Sequence, residues 1–336
     1  GPAFEGAYHY VALGGRDADG PAEYAIARYG TALAAGGDLT LDFRWTENGD
    51  PNPPVTQSGL RYDLGSGGLL QWVRPTFSSA PYAEGGLDRA GRLGVLATTF
   101  ETADPEVSLV LRRGGDPDES ALVGPYYLVA WTYDPDGGRH LSASGSCQFD
   151  GTGGWEGMWS INEDGGSIIR RPIGWYTLGT GGELVLNDGS TTLVGGLAAD
   201  GRVAILGGGS NPSVSGFAVL VRQHTVGGLG DRTLSGRYAV ATLQYTPGAY
   251  LSTIGILDPD GAGGWSMTAE ALVDGTWLPP ATTSGDYEIS DVGAMNLHRG
   301  GSWVGDGGVS SDGGVAILGS PMGGGLDPRV WVLVRL

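Results

Sequence analysis

The chain contains no lysine: all 19 of its basic residues are arginine, against 37 acidic residues. That absence excludes a lysine Schiff base, a lysine nucleophile and a Walker-type phosphate loop. Cysteine occurs once, at Cys147, so neither an internal disulfide nor a cysteine-rich metal site is available. No stretch stays apolar for the roughly 18 residues that a membrane-spanning helix needs. No amphipathic helix longer than about two turns can be read, and helices that short are marginal alone. The formal net charge of −18 argues against nucleic acid and anionic membrane surfaces as partners. The four histidines, His9, His140, His224 and His298, never pair at metal-ligand spacing, so no metal site is expected. Gly-x-Ser-x-Gly and His-Glu-x-x-His are both missing, and no cofactor is expected.

Glycine is abundant, at 64 of 336 residues. It lacks a collagen period and sits between strand-like runs, where tight turns need positive φ. The chain also repeats itself, with a period of about 110 residues that suits a whole small domain rather than a solenoid unit. Leu122-Val-Gly-Pro-Tyr126 returns as Leu234-Ser-Gly-Arg-Tyr238 and, more loosely, as Phe4-Glu-Gly-Ala-Tyr8. Each copy ends in an apolar strand that closes on arginine, at Arg112, Arg222 and Arg335. The domains expected are 1–113, 121–222 and 233–336.

Each copy reads as eight short strands joined by Asp-Gly, Gly-Gly or Asn-Gly turns. In the second copy these fall near 125–133, 141–149, 155–163, 173–178, 183–187, 191–199, 202–207 and 216–222. Along the second of them Leu141, Ala143, Gly145, Cys147 and Phe149 alternate with Ser142, Ser144, Ser146 and Gln148, a half-buried period of two. The expected fold is therefore all-β: three tandem eight-stranded up-and-down antiparallel barrels, each closing its last strand on its first. Gly-x-Tyr at the first strand with arginine on the last resembles the calycin pattern of lipocalins and avidins, with tyrosine where that family has tryptophan. The resemblance covers all three copies through a few residues each. It implies packing roles for Tyr8, Tyr126 and Tyr238 with Arg112, Arg222 and Arg335, the arginine lying across the aromatic ring. A second architecture is open. A glycine–tyrosine pair recurs midway through each copy, as Gly-x-Tyr at Tyr176 and Tyr287 and as Gly59-Leu-Arg-Tyr62 in the first, so six four-stranded halves could form a six-bladed propeller.

First and last strands are apolar on both faces. Tyr126, Leu128 and Ala130 share one side of a strand whose other side carries Tyr127, Val129, Trp131 and Tyr133. A lone soluble barrel would turn polar residues outward there. These strands are expected to join the copies into a monomeric body with internal pseudo-threefold symmetry.

Chemistry is harder to read. Asp134-Pro-Asp136-Gly137 and Asp258-Pro-Asp260-Gly261 resemble the opening of a calcium loop but lack its downstream glutamate, which leaves turn chemistry. Cys147 falls on an apolar strand face, as a small buried side chain. Trp155 recurs as Trp265 and is structural, whereas Trp159 and Trp175 break the repeat. The first reading is a non-catalytic binding protein, secreted or periplasmic with its leader removed. It would hold a small apolar or carbohydrate ligand in the second barrel through Trp159, Trp175, His140 and Glu163. The second is a cofactor-free cyclase or isomerase with Glu163 or Glu270 as the cavity acid. The third is a surface scaffold or adhesion module with filled barrels.

Overall fold

The computed structural model describes residues 3–17, 23–48, 50–74, 81–100, 104–134, 138–163, 166–208, 215–320 and 327–336. Barrel 1 comprises β1 (Gly6–Asp17), β2 (Glu23–Ala35), β3 (Asp38–Glu47), β4 (Asp50–Leu64), β5 (Leu69–Val73), β6 (Pro81–Leu87), β7 (Leu93–Thr98) and β8 (Glu106–Arg112). Barrel 2 comprises β9 (Val123–Asp134), β10 (Arg139–Asp150), β11 (Gly154–Glu163), β12 (Gly166–Arg170), β13 (Ile173–Leu178), β14 (Glu183–Asn187), β15 (Thr192–Leu197), β16 (Val203–Gly208) and β17 (Ser215–Arg222). Barrel 3 comprises β18 (Tyr238–Thr246), β19 (Ala249–Pro259), β20 (Gly264–Val273), β21 (Thr276–Ile289), β22 (Ala294–Arg299), β23 (Ser302–Val309), β24 (Val315–Gly319) and β25 (Arg329–Arg335). Each barrel pairs neighbouring strands antiparallel and closes last on first: β8 on β1, β17 on β9, β25 on β18.

Barrel 2 carries one extra strand because its fourth is broken. Where β4 and β21 run continuously, Arg171-Pro172 interrupts the chain between β12 and β13. Pro172 has no N–H for the ladder, but β4 and β21 run on through Pro53-Pro54 and Pro279-Pro280, so proline alone does not account for the break. β12 pairs with the C-terminal half of β11 and β13 with the N-terminal half, so the ring still closes.

The closing seam holds the Gly-x-Tyr tyrosines and the terminal arginines in direct register: Tyr8 opposite Arg112, Tyr126 opposite Arg222, Tyr238 opposite Arg335. The Arg222 guanidinium lies 5.7 Å from the Tyr126 ring centroid. Tyr126 Oη donates to Gly201 O at 2.5 Å, and Tyr238 Oη to Gly313 O at 2.6 Å.

The midway tyrosines sit on the fourth strand and reach across the same barrel end. Tyr176 Oη donates to Glu119 O and Leu122 O, each at 3.0 Å. Tyr287 Oη donates to Asp231 O at 2.9 Å and Leu234 O at 3.0 Å, and Tyr62 Oη to a Glu5 carboxylate oxygen at 2.6 Å. These ties explain the half-length echo that also suited a propeller. The six-bladed alternative is not formed, because the fourth and fifth strands pair continuously within one closed ring.

The two-sided strands meet at the centre. One apolar cluster unites Val11, Leu13 and Leu109 of barrel 1, Val129, Trp131 and Val219 of barrel 2, and Ala241, Leu243 and Val332 of barrel 3. Each barrel also has its own interior cluster. Burying one Val or Leu is worth about 1.5–3 kcal/mol, so the shared cluster is a true core. The repeated Gly-Gly pair sets the geometry. A Cβ on the first glycine (Gly85, Gly195, Gly307) would fall within 2.0 Å of a carbonyl on the neighbouring strand of its own barrel. A Cβ on the second would strike the next barrel: Gly86 would meet Ala239 at 2.3 Å, Gly196 would meet His9 at 2.0 Å, and Gly308 would meet Tyr127 at 2.0 Å. Ala239, His9 and Tyr127 each follow a signature tyrosine, so the contact runs cyclically through the copies.

Near this axis the turns before β7, β16 and β24 converge. Arg92 Nε bonds Asp88 at 2.9 Å, its Nη1 bonds Asp200 at 3.0 Å, and its Nη2 bonds Asp312 at 3.2 Å. One guanidinium thus binds a carboxylate from every barrel. Arg202 adds a second contact to Asp312 at 3.3 Å.

Candidate functional site

The mouth of barrel 2 holds a cavity of about 280 Å³. Period two decides what enters it. On β9, Leu128 and Ala130 face inward; on β10, Leu141 and Ala143 do; on β11, Trp155, Trp159 and Ile161 do; Leu186, Leu193 and Ala218 complete the wall. Trp155 and Trp159 stack with ring centroids 5.6 Å apart and planes 17° from parallel.

Two glycines make the stack possible. Gly157 lies between the tryptophans on the same inward face, and a Cβ there would sit 2.6 Å from Trp159 Cζ3 and 3.3 Å from Trp155 Cζ3. Gly145 pairs directly with Trp159, and its Cβ would lie 2.5 Å from Trp159 Cα and Cβ. Trp155 is anchored from below, its Nε1 donating to Asn187 O at 3.1 Å and Trp175 O at 3.3 Å. Trp265 of barrel 3 repeats that anchor through Asp286 O and His298 O, both at 3.2 Å. Trp155 is therefore a structural residue and a wall of the cavity at once.

The polar groups at the mouth are engaged in their own turns. Asp188 Oδ1 accepts from Ser190 N at 2.9 Å and Thr191 N at 2.7 Å. Asp134 pairs with Arg139 Nη2 at 2.9 Å. The site is an apolar well with an aromatic floor and a polar lip.

Of the residues singled out from sequence, Trp159 lines this well. Glu163 brings its backbone to the same rim, paired with Leu141 and Gly166; its side chain lies outside the described residues. Trp175 does not join them. Adjacent aromatics on a strand face opposite ways, and Tyr176 takes the interior, leaving Trp175 49% exposed on the outer wall. His140 is likewise on the outward face of its strand, beside inward Leu141. It is buried between barrels, with its ring centroid 3.5 Å from that of Tyr245 and 5.1 Å from that of Trp131. Burial pushes His140 down to about 3, so the imidazole is neutral. Glu270 stands on the outward face of β20, opposite Ile254, and helps raise the Glu84 carboxyl of barrel 1, whose larger cause is burial. Glu163 and Glu270 thus belong to different barrels and do not converge.

Cys147 is buried in barrel 2's own core, and burial pushes its thiol up, which suits packing rather than nucleophilic attack. Asp260 caps its own turn, accepting from Ala262 N at 2.7 Å and Gly264 N at 2.9 Å. Residues 135–137 of the other Asp-Pro-Asp-Gly segment lie outside the described residues. Among the described residues no group of three or more His, Cys, Asp or Glu is placed to hold a metal. No helix among them is long and apolar enough to cross a membrane. Sequence reasoning missed the role of Gly157, although Trp155-x-Gly157-x-Trp159 was a readable signal: even spacing on a strand puts both rings on one face with a gap between.

No protein-family model and no curated protein matches this chain. Among solved structures it is similar to a protein of unknown function from the DUF3598 family of Nostoc punctiforme. The two are 10% identical, with 99% of this chain and 96% of that chain covered and a TM-score of 0.19. It is also similar to a candidate AttH protein of Nitrosomonas europaea, 8% identical, covering 98% and 93% of the two chains with a TM-score of 0.20. At such scores neither likeness carries an argument about fold or function.

Proposed function

We propose that this protein is a monomeric, non-catalytic carrier that binds a small, largely apolar molecule in barrel 2. The stacked Trp155–Trp159 pair inside an otherwise aliphatic well carries the reading. A well of about 280 Å³ is just under the ~300–1,000 Å³ common for small-molecule sites, which suits a ligand of up to three rings. A flat apolar ring gains area and stacking on Trp159, while a single hydroxyl can reach the lip at Thr132 or Thr191. A carbohydrate is served less well, because its many hydroxyls would meet Leu128, Leu141, Ile161 and Leu193 without partners.

The neutral fluorescent probe N-phenyl-1-naphthylamine tests this. Wild type is expected to bind it saturably, Trp159→Ala to weaken binding by about 10–100-fold, and Trp175→Ala to leave it unchanged. Equal affinity in wild type and Trp159→Ala would sink the assignment. Native mass spectra of protein purified from its own host would then give the mass of the physiological ligand.

A further inference from the structure

An unpaired strand edge recurs in all three barrels and is blocked in only two of them. β4 pairs with β5 only from Arg61 to Leu64, and β21 with β22 only from Asp286 to Ile289. The earlier half of each fourth strand therefore has a single neighbour among the described residues, the third strand. β12 is that half in barrel 2: it pairs with β11 and with no other described strand. Such an edge offers alternate N–H and C=O groups to any extended chain, so soluble proteins block it with proline, bulges or charge.

Barrels 1 and 3 use proline and a bulge together. Arg44, Ser160 and Glu270 are equivalent: each pairs with a second-strand residue (Tyr29, Ser144, Ile254) that pairs in turn with the residue three beyond the signature tyrosine (Val11, Val129, Ala241). Opposite Arg44 the register shifts between Phe43 and Trp45, and Pro53-Pro54 fills the shift. Opposite Glu270 it shifts between Ala269 and Ala271, and Pro279-Pro280 fills it. Opposite Ser160 stands Ile169, in an unbroken ladder. Barrel 2 thus lacks both devices, and its edge carries Ile168, 42% exposed, and Ile169, 59% exposed.

Arg170 and Arg171 follow, both exposed. Neither pairs with a carboxylate among the described residues, and Glu156 lines the same outer groove as Arg171 without pairing with it. Ile168 and Arg170 share the face that Ile161 and Trp159 take on β11; Ile169 and Arg171 share the other. Each face of the edge thus presents an isoleucine and, two residues on, an arginine. Screening over about 8 Å at physiological salt weakens the influence of the chain's distant acidic residues, so these two cations decide which strand fits. A second copy's β12 brings the same arginines and no carboxylate to meet them.

We propose that β12 docks an extended segment of another protein as an added antiparallel strand, in which two acidic residues precede two β-branched apolar ones. In that direction the acidic pair runs beside Arg171 and Arg170 and the apolar pair beside Ile169 and Ile168, one of each kind on each face. Main-chain hydrogen bonds hold the strand, and the four side chains select it. No residue of β12 lines the well of barrel 2, and the docking does not depend on a ligand there.

The test is the fluorescence anisotropy of a fluorescein-labelled peptide, Thr-Glu-Glu-Val-Val-Thr, titrated with the full chain at about 0.15 M salt. Saturable binding is expected, and Thr-Lys-Lys-Val-Val-Thr is expected to bind at least about tenfold more weakly. Ile169→Pro gives barrel 2 the residue type its sister edges carry and is expected to abolish binding, since proline blocks an added ladder. Arg170→Glu with Arg171→Glu is expected to weaken binding by at least about tenfold. No saturable binding of the acidic peptide overturns the proposal. So does equal affinity for the lysine peptide, or undiminished affinity in either variant where it is folded. A chain that dimerises in sedimentation, with Ile169→Pro restoring the monomer, overturns it in favour of a second copy. The wild-type titrations with the two peptides decide the matter even where a variant misfolds.

Discussion

Barrels 2 and 3 hold the same frame around opposite interiors. Trp155 and Trp265 are anchored alike, and Gly145 and Gly255 occupy the same register against the next strand. Where barrel 2 has Gly157 and Trp159, barrel 3 has Met267 and Ala269. Met267 is buried among Leu257, Met295 and Leu297, filling the space that Gly157 leaves open. A cavity in this fold is thus a matter of which of two neighbouring inward positions carries the bulk. The surrounding hydrogen bonds do not change.

Exchanging those residues should break the comparison most sharply. Gly157→Met with Trp159→Ala is expected to abolish N-phenyl-1-naphthylamine binding, a loss of more than about 100-fold, or roughly 3 kcal/mol. The reverse pair, Met267→Gly with Ala269→Trp, should open a second binding site in barrel 3, read as a stoichiometry of two. An unchanged stoichiometry there would mean that the wall needs more than this pair.

A second difference lies on the outer faces, where His140 of barrel 2 stands at the position held by Tyr250 in barrel 3. His140 has a folded pKa of about 3, below its ordinary value of 6.5. The unfolded chain therefore binds the proton between those values, and stability falls as the pH drops through that window. His140→Leu is expected to remove about 2 kcal/mol of the destabilisation between pH 7 and pH 5, measured by urea unfolding at each pH. His9, held at about 4 chiefly by burial, keeps its own share in the variant. An identical pH profile in His140→Leu would show that the ring is reached by solvent.

The smallest effect is expected where the two barrels touch through polar groups. Ser144 Oγ of barrel 2 donates to both carboxylate oxygens of Asp306 in barrel 3 at 3.0 Å, and burial pushes that carboxyl up to about 6. A carboxyl whose folded pKa is raised contributes stability at low pH and loses it as the pH rises through 6. Asp306→Asn keeps an acceptor for Ser144 and should stabilise the protein by about 1 kcal/mol at pH 8, with no gain at pH 4. Thermal midpoints at the two pH values check it.

What the sequence made legible was whatever repeats or alternates. The run Leu141 to Phe149 placed its strand, and the Tyr–Arg pairs marked the seam that closes each ring. Two adjacent aromatics, Trp175 and Tyr176, could not be assigned faces, because either choice satisfies period two. His140 reads as a rim residue, since nothing in one barrel's pattern says that a second barrel will cover its outer wall. The lining of barrel 1 was illegible for a different reason. Inside it Arg28 on β2 and Glu106 on β8 are ion-paired, and residues so far apart in sequence form no motif until closure brings them together.

The arginine that gathers three carboxylates has a genetic implication. Arg92 and Arg202 occupy one position of the repeat, and the third copy has Gly314 there, where even a Cβ would press within 3.0 Å of Arg92 Nη2. Three identical subunits around a true axis would bring three guanidiniums, or none, to that spot. Because the three copies differ at this position within one polypeptide, two guanidiniums, Arg92 and Arg202, serve a junction to which exact threefold symmetry would bring three or none. The fused gene is thus a condition for this particular join, and separately expressed identical copies could not reproduce it.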